Sequence, residues 1–219
     1  MNTLPGNQAQ IIDIYRQRAK DYDANSISAL ENWRKDAVKL LNLERGDLVV
    51  DIGCGTGLNF VLLQEAISPE GRIIGVDLTD AMLDQARRRV AEHGWKNVEL
   101  VQCDATQYEF PRQVAGIIST FALTFIPDCG RVIQNGCRAL APGRQWVILD
   151  MAWPTGWPLW WRHLLFFFRL SSYGITTDVF QRRPWQTIWR TMERHLVDGT
   201  RKQFWMGFFY LASGKQPLH

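Results

Sequence analysis

The segment "VVDIGCGTG", residues 49–57, decides the fold that the sequence predicts. Its first residues are the β-branched, apolar residues of a buried strand, and its later residues place glycine at three alternate positions. A glycine-rich turn between a strand and a helix lets backbone N–H groups approach a ligand closely, because glycine has no Cβ atom. The segment therefore predicts a ligand-binding loop after a central strand of an α/β fold.

The spacing of the glycines separates two kinds of ligand. The dinucleotide-binding fingerprint is G-x-G-x-x-G, whereas Gly53, Gly55 and Gly57 follow one another at intervals of two residues. Asp51 precedes the loop, and a carboxylate at that position repels a pyrophosphate and attracts an ammonium group. The pattern favours a ligand that carries an amino group, and a nicotinamide-dependent oxidoreductase is the alternative.

Short β-branched runs alternate with helical patterns from residue 47 onward, which predicts a mostly parallel sheet with helices on both faces. The predicted strands cover residues 48–52, 72–77, 97–102, 114–119 and 144–150, and the helices between them begin near Gly57, Thr79 and Pro127. Two amphipathic helices precede the first strand, and two β-type runs around Gly207 predict an antiparallel C-terminal hairpin. The expected fold is a Rossmann-like α/β sheet of seven strands.

The second and third predicted strands also end in acids. "RIIGVD" ends in Asp77, and Asp104 follows the third strand in "CDAT". The carboxyl ends of parallel strands meet at one edge of a sheet, so Asp51, Asp77 and Asp104 are expected to line one cleft. Seen singly, Asp51 is also explained as an acid near a helix N-terminus, and Asp77 as a helix N-cap.

These motifs resemble those of the class I S-adenosylmethionine-dependent methyltransferases, over residues from about 15 to 150 and the closing hairpin. "VVDIGCGTG", "GVDLTDAML", "CDAT" and "IISTFALTFIPD" resemble the first four motifs of that family, in order. The resemblance implies S-adenosylmethionine as the methyl donor and S-adenosylhomocysteine as the product, with no metal. The donor-binding residues that it implies are Tyr22, Asp51, Gly53, Gly55, Gly57, Asp77, Leu78, Met82, Asp104, Ala105 and Ser119.

The resemblance also implies roles for these residues. Asp51 is expected on the methionine amino side, Asp77 at the ribose hydroxyls, and Leu78 and Met82 on either side of the adenine. The expected catalytic residues are Phe121, Asp150 and Tyr22. Phe121 is expected to face the methyl donor, and Tyr22 to lie above the sulfonium. Asp150 and Tyr22, with Tyr15 and His163, are candidate bases because the histidine pair that many relatives carry is replaced by Thr124 and Phe125.

The chain is expected to be a single methyltransferase domain, residues 1–219, with four parts. N-terminal cap helices occupy residues 1–46 and the donor-binding core occupies residues 47–150. An acceptor-side insertion follows at residues 151–196, and the closing hairpin at residues 197–219. The predicted helices of the insertion lie near residues 157–170 and 179–196, the second one kinked or started at Pro184.

The last third of the chain carries the clue to the acceptor. Residues 151–219 hold 9 Lys and Arg against 3 Asp and Glu, together with seven of the ten tryptophans. Such a segment is buried, lines an apolar pocket, or contacts a membrane surface through residues 151–205. The first hypothesis is a lipid-like acceptor, such as an aminophospholipid headgroup or a quinone. The second is a soluble aromatic or amine metabolite under a lid, and the third is a non-catalytic protein that binds S-adenosylmethionine.

Several classes of protein are excluded. A net charge of +3 and the sequence "STFA", in place of the Asn/Asp-Pro-Pro-Tyr/Phe signature, argue against a nucleic-acid partner. The four cysteines form no C-x-x-C pair, so neither a zinc site nor a disulfide framework is predicted. The sequence predicts a cytoplasmic protein, monomeric or homodimeric, that acts in solution or at the periphery of a membrane.

Overall fold

The structure, a computed structural model, describes residues 6–19, 28–154 and 177–218. Two helices precede the sheet, α1 (Gly6–Arg18) and α2 (Ser28–Leu40), at the two predicted amphipathic patterns. The strands are β1 (Leu48–Ile52), β2 (Arg72–Asp77), β3 (Val98–Gln102), β4 (Val114–Thr120), β5 (Leu140–Met151), β6 (Val197–Phe204) and β7 (Phe209–Lys215). The other helices are α3 (Phe60–Ile67), α4 (Asp80–Glu92), α5 (Cys129–Ala139), α6 (Thr177–Arg182) and α7 (Pro184–His195).

The seven strands form one sheet in the order β3-β2-β1-β4-β5-β7-β6. The first five strands pair in parallel, whereas β7 pairs antiparallel with both β5 and β6. The prediction of a mostly parallel sheet with an antiparallel C-terminal hairpin is therefore confirmed. The strand order reverses between β1 and β4, and the carboxyl edge at such a switch point is where α/β sheets bind ligands.

Both faces of the sheet are covered by apolar residues. Successive side chains of a strand point to opposite faces, so Ile117 and Ile118 of β4 belong to different clusters. Trp146 lies in the first cluster with residues of α5 and α7, and Phe60 lies in the second with residues of α2 and α4. All four of these side chains are fully buried. This double covering explains why the central strands read as continuous apolar runs.

One segment breaks at the predicted Pro184, and a second segment differs from the prediction. The predicted helix 179–196 is divided into α6 and α7 at Arg183, whose φ is +49°, because Pro184 disfavours a helical conformation for the residue before it. β5 begins at Leu140, earlier than the predicted start at residue 144, and includes Gly143. The N–H of Gly143 donates to the carbonyl of Gln216 beyond β7, a contact between residues too distant in sequence to predict. The predicted helix 157–170 lies outside the described residues.

Candidate active site

The loop after β1 needs its glycines for two reasons. Gly53, Gly55 and Gly57 have φ values of +68°, +55° and +79°, a region in which side chains with a Cβ atom are strained. A Cβ atom on Gly53 would also lie 2.2 Å from the Cβ of Ala122, in the loop after β4. The N–H of Gly53 donates to the carbonyl of Val76 on β2, at 2.8 Å. The glycines therefore let the loops after β1 and β4 meet at the sheet edge.

A cavity opens at this carboxyl edge, and it is called the donor cavity below. The sheet places the ends of β1, β2, β3 and β4 around it, and α1 lies over it. The predicted site residues that line the donor cavity are Gly53, Gly55, Asp77, Leu78, Met82, Asp104, Ala105 and Phe121. Residues from all four sequence motifs thus meet in one place.

Asp77 joins the glycine loop to the start of α4. Its Oδ1 accepts a hydrogen bond from the N–H of Thr79 at 2.8 Å, and its Oδ2 accepts one from the N–H of Gly55 at 2.9 Å. Burial raises the pKa of the carboxyl, and these backbone hydrogen bonds counteract the shift. Each carboxylate oxygen has a further lone pair, so the geometry fits a group that presents two adjacent hydroxyls, such as a ribose.

The adjoining wall suits a flat apolar ring. Leu78 and Met82 line it, and Met82 is buried at the first turns of α4. On the strand side, Asp104 follows β3, and its Oδ1 accepts hydrogen bonds from both the N–H and the hydroxyl of Thr106, each at 2.8 Å. These bonds fix the carboxylate beside Ala105 at the cavity wall. An adenine with its amino group toward Asp104 fits this arrangement.

Four predicted site residues that the structure describes do not line the donor cavity, namely Asp51, Gly57, Ser119 and Asp150. Tyr22, a further predicted site residue, lies outside the described residues. Ser119 is fully buried, and the next residue, Thr120, lies on the cavity wall instead. Because neighbouring side chains of a strand point to opposite faces, a prediction that is shifted by one residue names the buried Ser119 in place of Thr120.

Asp150, a predicted catalytic residue, is turned into the protein. Its Oδ2 accepts a hydrogen bond from the N–H of Thr124 at 3.0 Å, and its Oδ1 accepts one from the N–H of Met151 at 2.7 Å. Burial raises the pKa of this carboxyl to about 6. The carboxylate holds the turn Leu123–Phe125 in place, and the structure does not bring it to the donor cavity.

Asp51 lies behind the glycine loop and is completely buried. The amide Nδ2 of Asn59 donates to its two carboxylate oxygens, at 3.2 and 3.0 Å. Burial raises the pKa of Asp51 to about 7, and the hydrogen bond from Asn59 and the charge of Arg34 oppose that rise. The sequence singled out Asp51 but missed Asn59, two residues beyond the last glycine of the motif.

A tyrosine of α1 lies over the donor cavity. Ile12 and Tyr15 line the cavity, and the ring of Tyr15 packs edge-on against Phe125 with centroids 5.8 Å apart. Arg16 holds α1 to α4 through both carboxylate oxygens of Asp80, at 2.8 and 3.1 Å. The prediction that Tyr22 lies above the sulfonium concerns a residue outside the described ranges, and Tyr15 is a tyrosine that the structure places at the donor cavity.

Phe121 marks the end of the cavity expected to hold the reacting methyl group. Its φ is +58°, an uncommon value for an aromatic residue that is tolerated where the surroundings fix it. Its N–H donates to the carbonyl of Leu149 at 2.7 Å. The ring packs edge-on against Phe209 with centroids 6.0 Å apart, and the guanidinium of Arg34 lies 5.3 Å from its centroid.

Beyond Phe209 lies a second cavity of about 250 Å³, called the aromatic cavity below. Its described lining residues are Thr124, Met151, Ala152, Trp153, Val179, Phe180, Trp185, Trp205, Phe208 and Phe209. None of these side chains is ionisable. An apolar cavity of about 150 Å³ already accepts a benzene ring, so this one is large enough for a substituted ring. Sequence spacing gave no signal for it, because its residues come from four separate segments.

Two further findings concern metals and membranes. Within residues 6–19, 28–154 and 177–218, no three His, Cys, Asp or Glu side chains are grouped so that they could bind a metal ion. None of the helices in those ranges is long and apolar enough to cross a bilayer.

The sheet order, the glycine loop and the acids of the donor cavity define an S-adenosylmethionine-dependent methyltransferase. Residues 4–174 match the model of the ubiE/COQ5 methyltransferase family, and the chain belongs to that family. S-adenosylmethionine fits the donor cavity. Asp77 offers two carboxylate oxygens as hydrogen-bond acceptors. The space beside Gly55 is open, since a Cβ atom on this residue would meet nothing within 4 Å.

Curated relatives and solved structures agree with this class. The chain is 29% identical over 187 residues to a demethylmenaquinone methyltransferase of Shouchella clausii, which covers 83% of this chain and 79% of the relative. It is 31% identical to a demethylmenaquinone methyltransferase of Listeria monocytogenes, over 68% of this chain and 66% of the relative. A geranyl diphosphate C-methyltransferase from Streptomyces coelicolor has the same fold, with a TM-score of 0.64, 16% identity and coverage of 97% and 98%.

Proposed function

We propose that this methyltransferase transfers the methyl group of S-adenosylmethionine to a quinone-like ring. The aromatic cavity carries the proposal, because its described residues are aromatic or apolar apart from Thr124 and it adjoins Phe121 through Phe209. The relatives named demethylmenaquinone methyltransferases support the same class of acceptor. A charged phosphate headgroup finds no counter-charge among the described lining residues.

Methyl transfer depends mainly on the alignment of the donor's methyl group with the acceptor atom. In the transfer the S–CH₃ bond of the sulfonium breaks as a C–CH₃ bond forms on the ring, and the ring carbon then releases its proton to solvent. The sulfonium charge disperses in the transition state, so holding donor and acceptor in line supplies most of the rate enhancement. The reduced, hydroquinone form is the nucleophile, since its hydroxyl groups donate electrons to the ring carbon. On this account Phe121 and Phe125, which line the donor cavity, shield the sulfonium from water on the donor side.

A membrane surface is the proposed source of the acceptor. Trp205 and Met206, in the turn between β6 and β7, are 52% and 74% exposed, and Trp205 also lines the aromatic cavity. Lys202 lies nearby on β6, and residues 151–219 are rich in basic residues. Exposed tryptophan beside basic residues favours the interface of an anionic bilayer. An acceptor dissolved in lipid would then enter the aromatic cavity beside this turn.

The acceptor class is tested with purified protein and methyl-labelled S-adenosylmethionine. The panel contains a demethylated naphthoquinone with a short isoprenoid chain, supplied oxidised and reduced, an aminophospholipid, and soluble aromatic amines. The expected product is the methylated ring, formed from the reduced quinone alone. Methylation of an amine would favour the second candidate, because tryptophan faces also attract cationic groups. Donor binding with no transfer to any acceptor would indicate a non-catalytic protein.

The membrane contact is tested by flotation with vesicles that contain anionic lipid. The wild-type protein is expected to float with the vesicles, and the double variant Trp205→Ser and Met206→Ser to stay in the soluble fraction with unchanged donor affinity. Leu218→Ser is the matched control, since Leu218 is 71% exposed but lies beyond β7. If the wild type does not float, or if the control loses binding equally, the membrane part of the proposal is wrong.

A further inference from the structure

Asn59 occupies a helix N-cap position without acting as a cap. It directly precedes α3, and its side chain makes no hydrogen bond to the N–H groups of the first turn. Asparagine at this position usually accepts such a bond and stabilises the helix. Here the amide is turned away from the helix, which indicates that its hydrogen bonds are used elsewhere.

The amide of Asn59 joins the ends of two strands. Its Nδ2 donates to the carboxylate oxygens of Asp51, at 3.2 and 3.0 Å, and to the hydroxyl of Thr120, at 3.1 Å. Its Oδ1 is buried and accepts no hydrogen bond from the described residues, which is an energetic cost. The amide of Asn59 thus keeps its orientation toward the Asp51 carboxylate, although this leaves α3 without a side-chain cap and Oδ1 without a hydrogen-bond donor.

Asp51 needs this donor because burial opposes its charge. The charged and titratable groups that face it are Arg34 of α2, Asp77 of β2 and, next to it in the loop, Cys54. Arg34 favours the ionised carboxylate, Asp77 disfavours it, and burial raises the pKa of the Cys54 thiol, so that this group stays neutral. With the pKa of Asp51 raised to about 7, the Asn59 hydrogen bonds influence its ionised fraction near neutral pH.

We propose that Asn59 is a positioning residue of the donor site, which keeps the Asp51 carboxylate ionised and fixes the Thr120 hydroxyl at the cavity wall. The inference rests on the proposed function and on the role that the resemblance implies for Asp51, attraction of the donor's ammonium group, which this buried carboxylate exerts through its charge and not by contact. Asn59 is 2% exposed and does not line the donor cavity, so it acts through the other two residues. The effect of Asn59 on donor affinity should then be largest at pH values near the pKa of Asp51, which is about 7.

The test is the dissociation constant of S-adenosylhomocysteine, measured by calorimetry between pH 6 and 9 for the wild type and Asn59→Ala. The ratio of the two constants is the informative quantity, because the ligand's own titration cancels in it. We expect a ratio on the order of tenfold near pH 7, from the loss of hydrogen bonds to a charged group. The ratio should fall toward pH 9, where Asp51 is ionised in both proteins. A ratio of one, or one that does not change with pH, would overturn the proposal.

Two further variants separate the possible failures. Asn97→Ala is the matched control, because Asn97 donates to the carbonyl of Gly71 at 2.8 Å, away from the donor cavity. It is expected to lower the melting temperature and leave the dissociation constant unchanged at every pH. Asp51→Asn should weaken binding and remove most of the effect of Asn59→Ala in the double variant. If Asp51→Asn binds normally, the role of Asp51 is wrong; if it binds weakly but the Asn59 ratio is flat, only the role of Asn59 is wrong.

Discussion

The donor cavity and the aromatic cavity lie on either side of the Phe121–Phe209 contact, and they are built in opposite ways. The donor cavity uses backbone N–H groups, glycines and the carboxylates of Asp77 and Asp104. The described wall of the aromatic cavity uses large side chains and contains no ionisable group. A polar, charged cofactor needs a few fixed hydrogen bonds, whereas an apolar ring needs shape and exclusion of water. Changes in the first cavity should therefore affect donor affinity, and changes in the second the acceptor.

The largest effect is expected from Gly53→Ala. The added Cβ atom would meet the Cβ of Ala122 at 2.2 Å, and φ is +68°, so the loops after β1 and β4 must separate. We expect donor binding to weaken more than about 100-fold, since a displacement of about 1 Å removes several aligned contacts. Calorimetric titration with S-adenosylhomocysteine measures it.

Gly94→Ala is the matched control for that variant. Gly94 also has a positive φ, +68°, but a Cβ atom there would meet nothing within 4 Å. It should cost only backbone strain, with a lower melting temperature and unchanged donor affinity. Equal losses of affinity in the two variants would mean that strain, and not the contact with Ala122, makes Gly53 necessary.

Asp77→Ala is the next strongest change. It removes the acceptor of two backbone N–H groups and the proposed partner of the ribose hydroxyls. The expected loss is roughly 1.5 to 3 kcal/mol of donor binding, about 10- to 150-fold in the dissociation constant. Asp84→Ala, an exposed acid on α4, is the control. Unchanged affinity of Asp77→Ala would contradict the donor-site assignment.

Gly53→Ala and Asp77→Ala change the part of the site that could be predicted from the sequence. Gly53, Asp77 and Asp104 sit at strand ends with fixed local patterns, so a parallel sheet brings them together without knowledge of side-chain packing. Thr120 was missed in favour of Ser119 because strand ends are uncertain by a residue and each shift reverses the face.

The rest of the site depends on packing between distant segments. Trp153 and Phe208, for example, pack edge-on at 5.7 Å although they are far apart in the chain, and no periodic pattern links them. The burial of Asp150 likewise follows from the turn that it holds and not from its place at the end of a strand. The sheet and the donor motifs were predictable, whereas the aromatic cavity required the structure.

Ala152→Phe tests the role of the aromatic cavity. Ala152 lines the aromatic cavity, so a phenyl group there would occupy space proposed for the acceptor. We expect the KM for the quinone-like acceptor to rise about tenfold, the effect of roughly 1.4 kcal/mol, with unchanged donor affinity. Steady-state kinetics with each substrate varied separates the two. Ala91→Phe, at an exposed position of α4, is the matched control. A rise in donor Kd alone would contradict the division between the cavities.

The last effect concerns stability and pH, and it does not involve either ligand. Burial raises the pKa of Asp51 to about 7 and that of Asp150 to about 6, from the ordinary value of 3.8. The folded protein therefore holds protons that the unfolded chain has lost, so the stabilising contribution is lost as pH rises through 6 to 7. Without donor, the free energy of unfolding in urea should fall by about 3 kcal/mol between pH 5.5 and 8. Asp51→Asn should flatten this slope, and a free energy that rises with pH would contradict the burial of these charges.

The most direct test of the central claim follows the methyl group itself. Cell extract is separated into lipid and aqueous phases, reduced with dithionite, and incubated with the protein and methyl-tritiated S-adenosylmethionine. The account predicts label in the lipid phase on a quinone-like compound, with full activity of Gly94→Ala and almost none of Gly53→Ala. Label that enters the aqueous phase, or an aminophospholipid, would contradict it.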